Sequence, residues 1–196
     1  MDSVSQYALA YALTTSAGVR ALLPLAAVAV GAHFGWIHPS ADFAWLGHWL
    51  TMWVLIAVAV LEMAADKIPL VDHAMHFVQI ASKPAAAAIL IGGTTHPHSH
   101  EELIVLMVIG ALNALGIHGA VAGARVASTA GTAGFATPLL STVEDAGSIA
   151  GIAVAFVAPV VAAIVALVLT VLLVIVARHL YVRMRRGRAR ARASPK

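Results

Sequence analysis

The chain has 196 residues, 61% of them hydrophobic and only 11% charged, and its mean hydropathy is +0.90. So little polar surface cannot cover a soluble core of this size, which excludes a soluble globular protein. The length instead suits one membrane domain of about five to seven spanning or half-spanning helices, each spanning helix needing about 20 residues. The sequence contains no cysteine, which excludes disulfides, thiolate metal sites and thiol redox pairs.

Charge is distributed unevenly along the chain. Residues 178–196 hold eight of the twelve basic residues, which leaves four basic and nine acidic residues in 1–177. Because a basic run after a long apolar helix marks the cytoplasmic side, we expect a single transmembrane domain over 1–177 and a disordered cytoplasmic tail over 178–196. The tail would bind anionic lipid headgroups. Only one aromatic residue, Tyr181, is interleaved with its arginines, so we expect no nucleic-acid partner. Met1–Gln6 carries no basic start of a cleaved signal peptide.

The first apolar stretch, residues 4–36, is too long for one uninterrupted span and is broken near its middle. Small and polar residues, Ser16 and Gly18 among them, precede Arg20, and Pro24 follows. A helix that begins after such a break presents free N–H groups and the positive end of its dipole. Beside Arg20, that arrangement suits an anionic group of a substrate. The alternative is that Arg20 forms a structural ion pair with a buried acid.

Tryptophans then mark a headgroup interface around a short polar turn. They are Trp36, Trp45, Trp49 and Trp53. We predict a second span from about Leu46 to Ala65.

The second span ends in the most charged segment of the transmembrane domain. Glu62 and Asp66 are four residues apart on one helix face, and Asp72 and His76 have the same spacing. Lys67 lies beside them and can neutralise one acid. These carboxylates could bind a cation or relay protons, or they could form a structural ion-pair network that ties helix ends together. The sequence favours neither.

A third helix is predicted over residues 72–92, followed by a solvent-exposed loop over residues 93–100. In an extended loop the alternating His96, His98 and His100 would point the same way, so Zn²⁺ or Ni²⁺ could bind two or three of them. The alternative is opportunistic metal binding by a short His-rich loop. We expect no other cofactor.

The fourth span is predicted over residues 102–127 and contains His118 and Arg125. For His118 we expect an interhelical hydrogen bond. A second break of small residues, 128–134, follows Arg125, so this arginine would also lie beside a helix break. The residues that we assign to this second break are Gly131, Gly134 and Pro138.

The piece 135–148 is short and polar, which predicts a re-entrant segment or one half of a broken helix. The last span is predicted over residues 149–177. In a re-entrant helix Glu144 and Asp145 would lie deep enough for proton coupling or cation binding. Alternatively, they cap the start of the last helix, whose first turn favours acids.

A faint internal duplication links the two halves of the chain. Asp72 precedes Pro84 by twelve residues, and Asp145 precedes Pro159 by fourteen. Transporters are often built from two repeats with broken helices in matching positions. Alanine and proline are common in this sequence, so chance similarity is the alternative.

Three stretches of the sequence resemble a known family. They are residues 16–25, residues 62–72, and the residues from Arg125 to Asp145. The chain resembles the bacterial integral-membrane family catalogued as domain of unknown function 4126. This resemblance implies a multi-pass protein of the bacterial inner membrane. It supports the positions of the site residues and does not imply an activity.

These observations predict an all-α, polytopic membrane protein with broken or re-entrant helices. We expect a small transporter or channel for an ion or small charged solute, built as a homo-oligomer. Its arginines would bind an anionic group, and its acids would coordinate a cation or couple protons. Lys67 and Lys83 would tune the charge of the site. The site residues are Arg20, Glu62, Asp66, Lys67, Asp72, Arg125, Glu144 and Asp145.

The alternative function is a membrane scaffold that transports nothing. In that case the buried ion pairs fix helix register, and the basic tail binds lipid or a protein partner. An enzyme acting on lipid is the third class, but no nucleophile or catalytic motif is present in the sequence. We therefore expect no enzymatic activity.

Overall fold

A computed structural model describes residues 1–65, 69–132 and 137–193 of the chain. In those residues the backbone is mostly helical and contains no strand, so the predicted all-α fold is confirmed. A short 3₁₀ helix, Ala41–Gly47, lies between the second and third α-helices. The α-helices are α1 (Ser3–Val19), α2 (Leu22–His33), α3 (Trp49–Ala65), α4 (Pro69–Thr94), α5 (His100–Thr132), α6 (Thr137–Val157) and α7 (Pro159–Ala193).

Several of these helices can cross a membrane. Within the described part of the chain, three segments are long and apolar enough: His100–Val126, Leu139–Val157 and Pro159–Val176. The 3₁₀ helix and α3, bent by 67° at their junction, give a fourth candidate. Large apolar side chains on the outer surfaces of α3, α5 and α7 are exposed, as lipid contact requires. The protein is therefore a polytopic helical membrane protein.

Helix α1 is the centre of the bundle and packs against α4, α5, α6 and α7. Along its length, polar contacts join it to α5: Asn113 donates hydrogen bonds to the hydroxyls of Thr14 and Thr15 at 3.1 and 3.0 Å. Between apolar helices in lipid, close packing and such hydrogen bonds provide much of the association energy. The two helices run in the same direction. Near the start of α1, Tyr7 pairs with Glu102 near the start of α5, and the threonines further along α1 pair with Asn113 further along α5.

The predicted break in the first apolar stretch is confirmed. Helix α1 ends at Val19, Arg20 has an extended backbone, and α2 begins at Leu22. Ser16 lies in the last turn of α1, where its carbonyl accepts the Arg20 N–H at 2.8 Å. Pro24 lies in the first turn of α2. N–H groups in that turn have no acceptor within the helix, so the N–H that proline lacks costs no intrahelical hydrogen bond. With twelve residues, α2 is about 18 Å long, too short to span.

The third helix is longer than predicted, and part of the predicted loop belongs to it. Helix α4 runs through Thr94 with Pro84 inside it. Thr94 and Thr95 are buried, and their hydroxyls donate to the carbonyls of Leu90 and Ile91 at 2.6 and 2.7 Å. The prediction that residues 93–100 are all solvent-exposed was wrong. Each threonine can be buried because its hydroxyl bonds the carbonyl four residues earlier in the chain.

The fourth span, predicted over residues 102–127, is confirmed by the apolar segment His100–Val126. The predicted break over residues 128–134 was wrong in its first part, because helix α5 continues through Thr132 and Gly131 has helical backbone. Arg125 consequently lies inside a continuous helix and not beside a helix start. Gly134 lies outside the described residues, and Pro138 follows the first residue of α6.

Helix α6 is continuous from Thr137 to Val157, so the predicted boundary between a half-helix and a last span at residue 149 was wrong. The interruption lies at Ala158, before Pro159, because proline cannot donate the next backbone hydrogen bond. Helix α7 continues past residue 177 into the basic segment as far as Ala193. Pro84 lies within a helix whereas Pro159 begins one, and the internal duplication stays a prediction.

The contact between α1 and α5 at Gly18 is a direct test of this packing. A Cβ at Gly18 would lie 2.5 Å from the Ile117 Cβ and 2.8 Å from the Ala114 carbonyl oxygen. We expect Gly18→Ala to destabilise the protein by about 1–3 kcal/mol, since overpacking forces helices apart. The measurement is the thermal unfolding midpoint in detergent.

The matched control is Gly116→Ala on α5, where an added Cβ meets nothing within 4 Å. This change should be neutral or should stabilise by up to about 1 kcal/mol, the gain in helix propensity. Equal midpoints for the two variants would contradict the close α1–α5 contact.

Candidate functional site

The break after α1 places a charged side chain in the interior of the bundle. Arg20 is only 1% exposed. Its guanidinium donates to the Ser141 hydroxyl at 3.0 Å and lies 2.7 Å from the Asp145 carboxylate. Both partners come from α6, so an ion pair and a hydrogen bond join the end of α1 to α6.

Helix α6 supplies these partners from one face. Ser141, Asp145 and Ser148 follow one another at intervals of four and three residues, and all three are buried. This polar face turns inward against α1, while the outer face of α6 carries exposed apolar residues such as Val143 and Ile149. The helix can therefore pass through an apolar bundle while it presents a carboxylate to Arg20.

Glu62 holds the other side of the break. Its two carboxylate oxygens accept the backbone N–H groups of Ala21 and Leu22 at 3.0 and 2.9 Å. These N–H groups begin α2 and have no partner inside that helix. Ala21 has no side chain that can cap them, so a glutamate from α3 does so, at the positive end of the α2 dipole. The start of α2, where an anionic ligand was predicted to bind, is thus occupied by the Glu62 carboxylate.

We call Arg20, Glu62, Ser141 and Asp145 the Arg20 cluster. It joins α1, α2, α3 and α6 around one helix break. The four side chains are almost entirely buried, with Glu62 only 4% exposed. In a membrane protein such charges are costly unless they are paired and hydrogen-bonded.

A second ion pair joins α5 to α6. Arg125 donates from Nε to one oxygen of Glu144 at 3.0 Å, and its terminal nitrogen contacts the other oxygen. This is the two-pronged geometry that a planar guanidinium forms with a carboxylate. The Arg125 and Glu144 side chains are 19% and 10% exposed, so this pair is more accessible than the Arg20 cluster.

A buried lysine and histidine form a third polar contact, between α4 and α5. The Lys83 Nζ lies 2.9 Å from the His118 Nδ1. The expected interhelical hydrogen bond of His118 is confirmed, but its partner, Lys83, was not predicted. Ile117, the residue before His118, packs on Gly18, so this contact lies in the same half of the bundle as the break in α1.

Most predicted site residues are described, and the structure groups them. Arg20, Glu62 and Asp145 meet in one cluster, and Arg125 and Glu144 form the neighbouring pair. The remaining three lie where the structure gives no side chain. Asp66 and Lys67 are outside the described residues, and Asp72 is in α4 but its side chain is outside them.

Ser141 was not predicted as a site residue. The signal was its position four residues before Asp145, which puts both on one face of a helix. The shared face of Ser141 and Asp145 becomes evident only if α6 is continuous. The prediction of a re-entrant segment or half-helix over residues 135–148 therefore hid it.

The histidine loop is not assembled as a metal site. His96, His98 and His100 are exposed, and in the described part of the chain no group of three or more acidic or histidine side chains could hold a metal ion. Glu102 instead orders this end of the bundle. Its carboxylate accepts the His98 N–H at 2.8 Å and the Tyr7 hydroxyl at 3.0 Å.

Removing the charge of Glu62 should weaken the α2 cap. Glu62→Gln replaces one acceptor oxygen by an NH₂ group that faces a backbone N–H. We expect a loss of about 1–2 kcal/mol in the free energy of unfolding, the range for helix caps. The measurement is unfolding in detergent, followed by helical circular dichroism.

The control is Glu101→Gln, the same chemical change at an exposed position in the first turn of α5. It should change stability by no more than about 0.5 kcal/mol. A Glu62→Gln variant as stable as this control would show that the cap does not hold α2.

A comparison with family models matches residues 7–179, nearly the whole chain, to the family described as domain of unknown function (DUF4126). No curated protein and no solved structure gives a significant match. The match contains the Arg20 cluster and the Arg125–Glu144 pair, together with all the helices except the end of α7 and the start of α1. The chain belongs to the DUF4126 family.

Proposed function

We propose that the protein is a small membrane transporter or channel for an ion or small charged solute, with its site at the Arg20 cluster. The observation that carries this proposal is a guanidinium only 1% exposed at a broken helix in a membrane protein. Stability alone does not require it, because buried ion pairs can often be replaced by apolar residues without loss. Ionisable groups at membrane depth more often mark a substrate or ion pathway.

The geometry of the cluster suggests how a solute would bind. An anion can compete with Asp145 for Arg20, and a cation can compete with Arg20 for Asp145, which lie 2.7 Å apart. In either case the displaced partner would become an uncompensated charge in the apolar interior, which is costly. The proposed exchange therefore requires that a proton or a second ion binds the displaced group together with the solute.

Helix α2 is the element best suited to move in such a cycle. It is short, it is separated from α1 by a break at Arg20, and Glu62 holds its first N–H groups. Release of Glu62 would free those donors beside Arg20, where an anionic group could take the place of the carboxylate. We assign the more accessible Arg125–Glu144 pair to an outer position on the solute path.

The proposal includes the setting of the protein. We place it in the bacterial inner membrane with the C-terminus in the cytoplasm and the basic residues of the tail at anionic headgroups. A bundle of this size is small for a complete path, so we propose a homo-oligomer. The proposed activity is not enzymatic.

A non-transporting scaffold is the second candidate, and one observation favours it. Each of three buried or half-buried acids already has a protein partner: Glu62 binds the start of α2, Asp145 binds Arg20, and Glu144 binds Arg125. Such closed pairs are what a protein needs if its charges only fix helix positions.

A pair of substitutions separates the two candidates. Arg20→Met alone leaves Asp145 as a buried, uncompensated acid, and we expect it to cost about 3–5 kcal/mol. Arg20→Met with Asp145→Leu removes both charges and should recover most of that stability. Proteoliposomes holding the double variant should nevertheless lose flux, measured with separate reporters for H⁺, K⁺ and Cl⁻.

Glu101→Gln serves as the control, since this exposed acid lies outside the cluster. It should keep the flux of the wild type. A folded double variant with wild-type flux of every ion that the wild type carries would contradict the proposed site. Absence of flux from the wild type in all three assays would favour the scaffold.

A further inference from the structure

An apolar groove lies between α2, α3 and α6, away from the ion pairs. It has a volume of about 720 Å³ and is lined only by apolar and aromatic side chains. We refer to it as the α2–α3–α6 groove. Representative lining residues are Leu23, Val30, Trp36, Ile56, Ala153 and Phe156.

The groove opens onto the surface that faces lipid. Beside it, the outer face of α3 exposes Val54, Val58 and Leu61. Val60, which lines the groove, is itself 60% exposed. The groove is therefore a recess in a hydrocarbon-facing surface, continuous with the interface between protein and bilayer.

One end of the groove lies at the headgroup level. Trp36 lines that end, is largely exposed and stacks on Phe34 with ring centroids 5.8 Å apart. Trp45 and Trp49 are exposed nearby in the chain, and tryptophan is enriched at the interface between hydrocarbon and headgroups. The other end reaches Leu23, next to the start of α2.

The length of the groove fits one leaflet. Its α6 wall extends from Ile149 to Val157, about 12 Å at the rise of an α-helix. Half of a bilayer core is about 15 Å thick. An α-helix of that length, about 10 Å across, would need about 900 Å³, which exceeds the groove. A hydrocarbon chain, which is much thinner than a helix, fits within this volume and spans this length.

We propose that the α2–α3–α6 groove binds one acyl chain of a glycerophospholipid, whose headgroup lies beside Trp36. This inference is independent of the proposed transport, because it depends on the shape and position of the groove and not on the ion pairs. The bound chain would pack between α2 and α3, and so support the short helix that the Arg20 cluster holds at its other end.

The test uses the full chain in phosphatidylcholine vesicles with a trace of phosphatidylcholine that carries a diazirine on one acyl chain. After photolysis, the labelled peptides are identified by mass spectrometry. We expect label on the α6 wall of the groove, residues 149–157, well above that on residues 160–176 of α7, most of which are exposed.

Ala153→Trp fills the groove from an exposed position on α6 and should lower the label in the groove about tenfold, equivalent to about 1.4 kcal/mol. The matched control is Ala150→Trp, also exposed on α6 but not a lining residue, which should leave the label unchanged. Ala27→Phe, from the α2 wall, provides the same comparison if Ala153→Trp does not fold.

Three results would overturn the proposal. Equal labelling of the groove and of α7, unchanged by a groove-filling variant that folds, would mean ordinary boundary lipid. If added palmitate competes with the label in the groove and added unlabelled phosphatidylcholine does not, the groove binds a free fatty acid. Cross-links between two copies of the chain that map to the groove would assign it to a dimer contact.

Discussion

The fold depends on one constraint, the need to pair a guanidinium in an apolar interior. Arg20 ends α1, and it can be buried there only because α6 brings Asp145 within 2.7 Å and Ser141 within 3.0 Å. The same break leaves the first N–H groups of α2 without partners, and Glu62 from α3 satisfies them. Helices α1, α2, α3 and α6 are thus joined by polar contacts at one point. Apolar packing around α1 then completes the bundle.

The sequence predicted the parts of the site that depend on local chemistry. Small polar residues before Arg20 and a proline after it indicated the break, and the high cost of charge in hydrocarbon singled out the arginine and its acids. It did not predict which acid pairs with which arginine, because that depends on how distant helices pack. The α6 boundary was wrong for a related reason: Glu144 and Asp145 made residues 135–148 too polar for a span when that piece was taken separately, although Leu139–Val157 as a whole is apolar enough. Their pairing with Arg125 and Arg20 allows α6 to be continuous.

The break gives α2 a position between two different environments. Its first residues bind Glu62 and follow Arg20, while Leu23 and Val30 line the apolar groove that opens to lipid. Helix α3 lies beside α2 in both environments, since Glu62 binds the start of α2 and Ala59 lines the groove. A solute that released Glu62 would therefore act on the same short helix that a lipid chain supports. In this account the ion pairs and the groove are coupled through α2, and the scaffold candidate requires no such coupling.

The most direct test of the central claim is the thermal stability of the purified protein against a panel of simple inorganic cations and anions and small organic acids and amines. A ligand that binds only the folded state raises the unfolding midpoint in a saturable manner. We predict a selective, saturable increase for the wild type that disappears when Arg20 and Asp145 are replaced together by Met and Leu. An increase of the same size in the double variant would place the ligand elsewhere. No increase with any ligand for the wild type would contradict a solute site at Arg20.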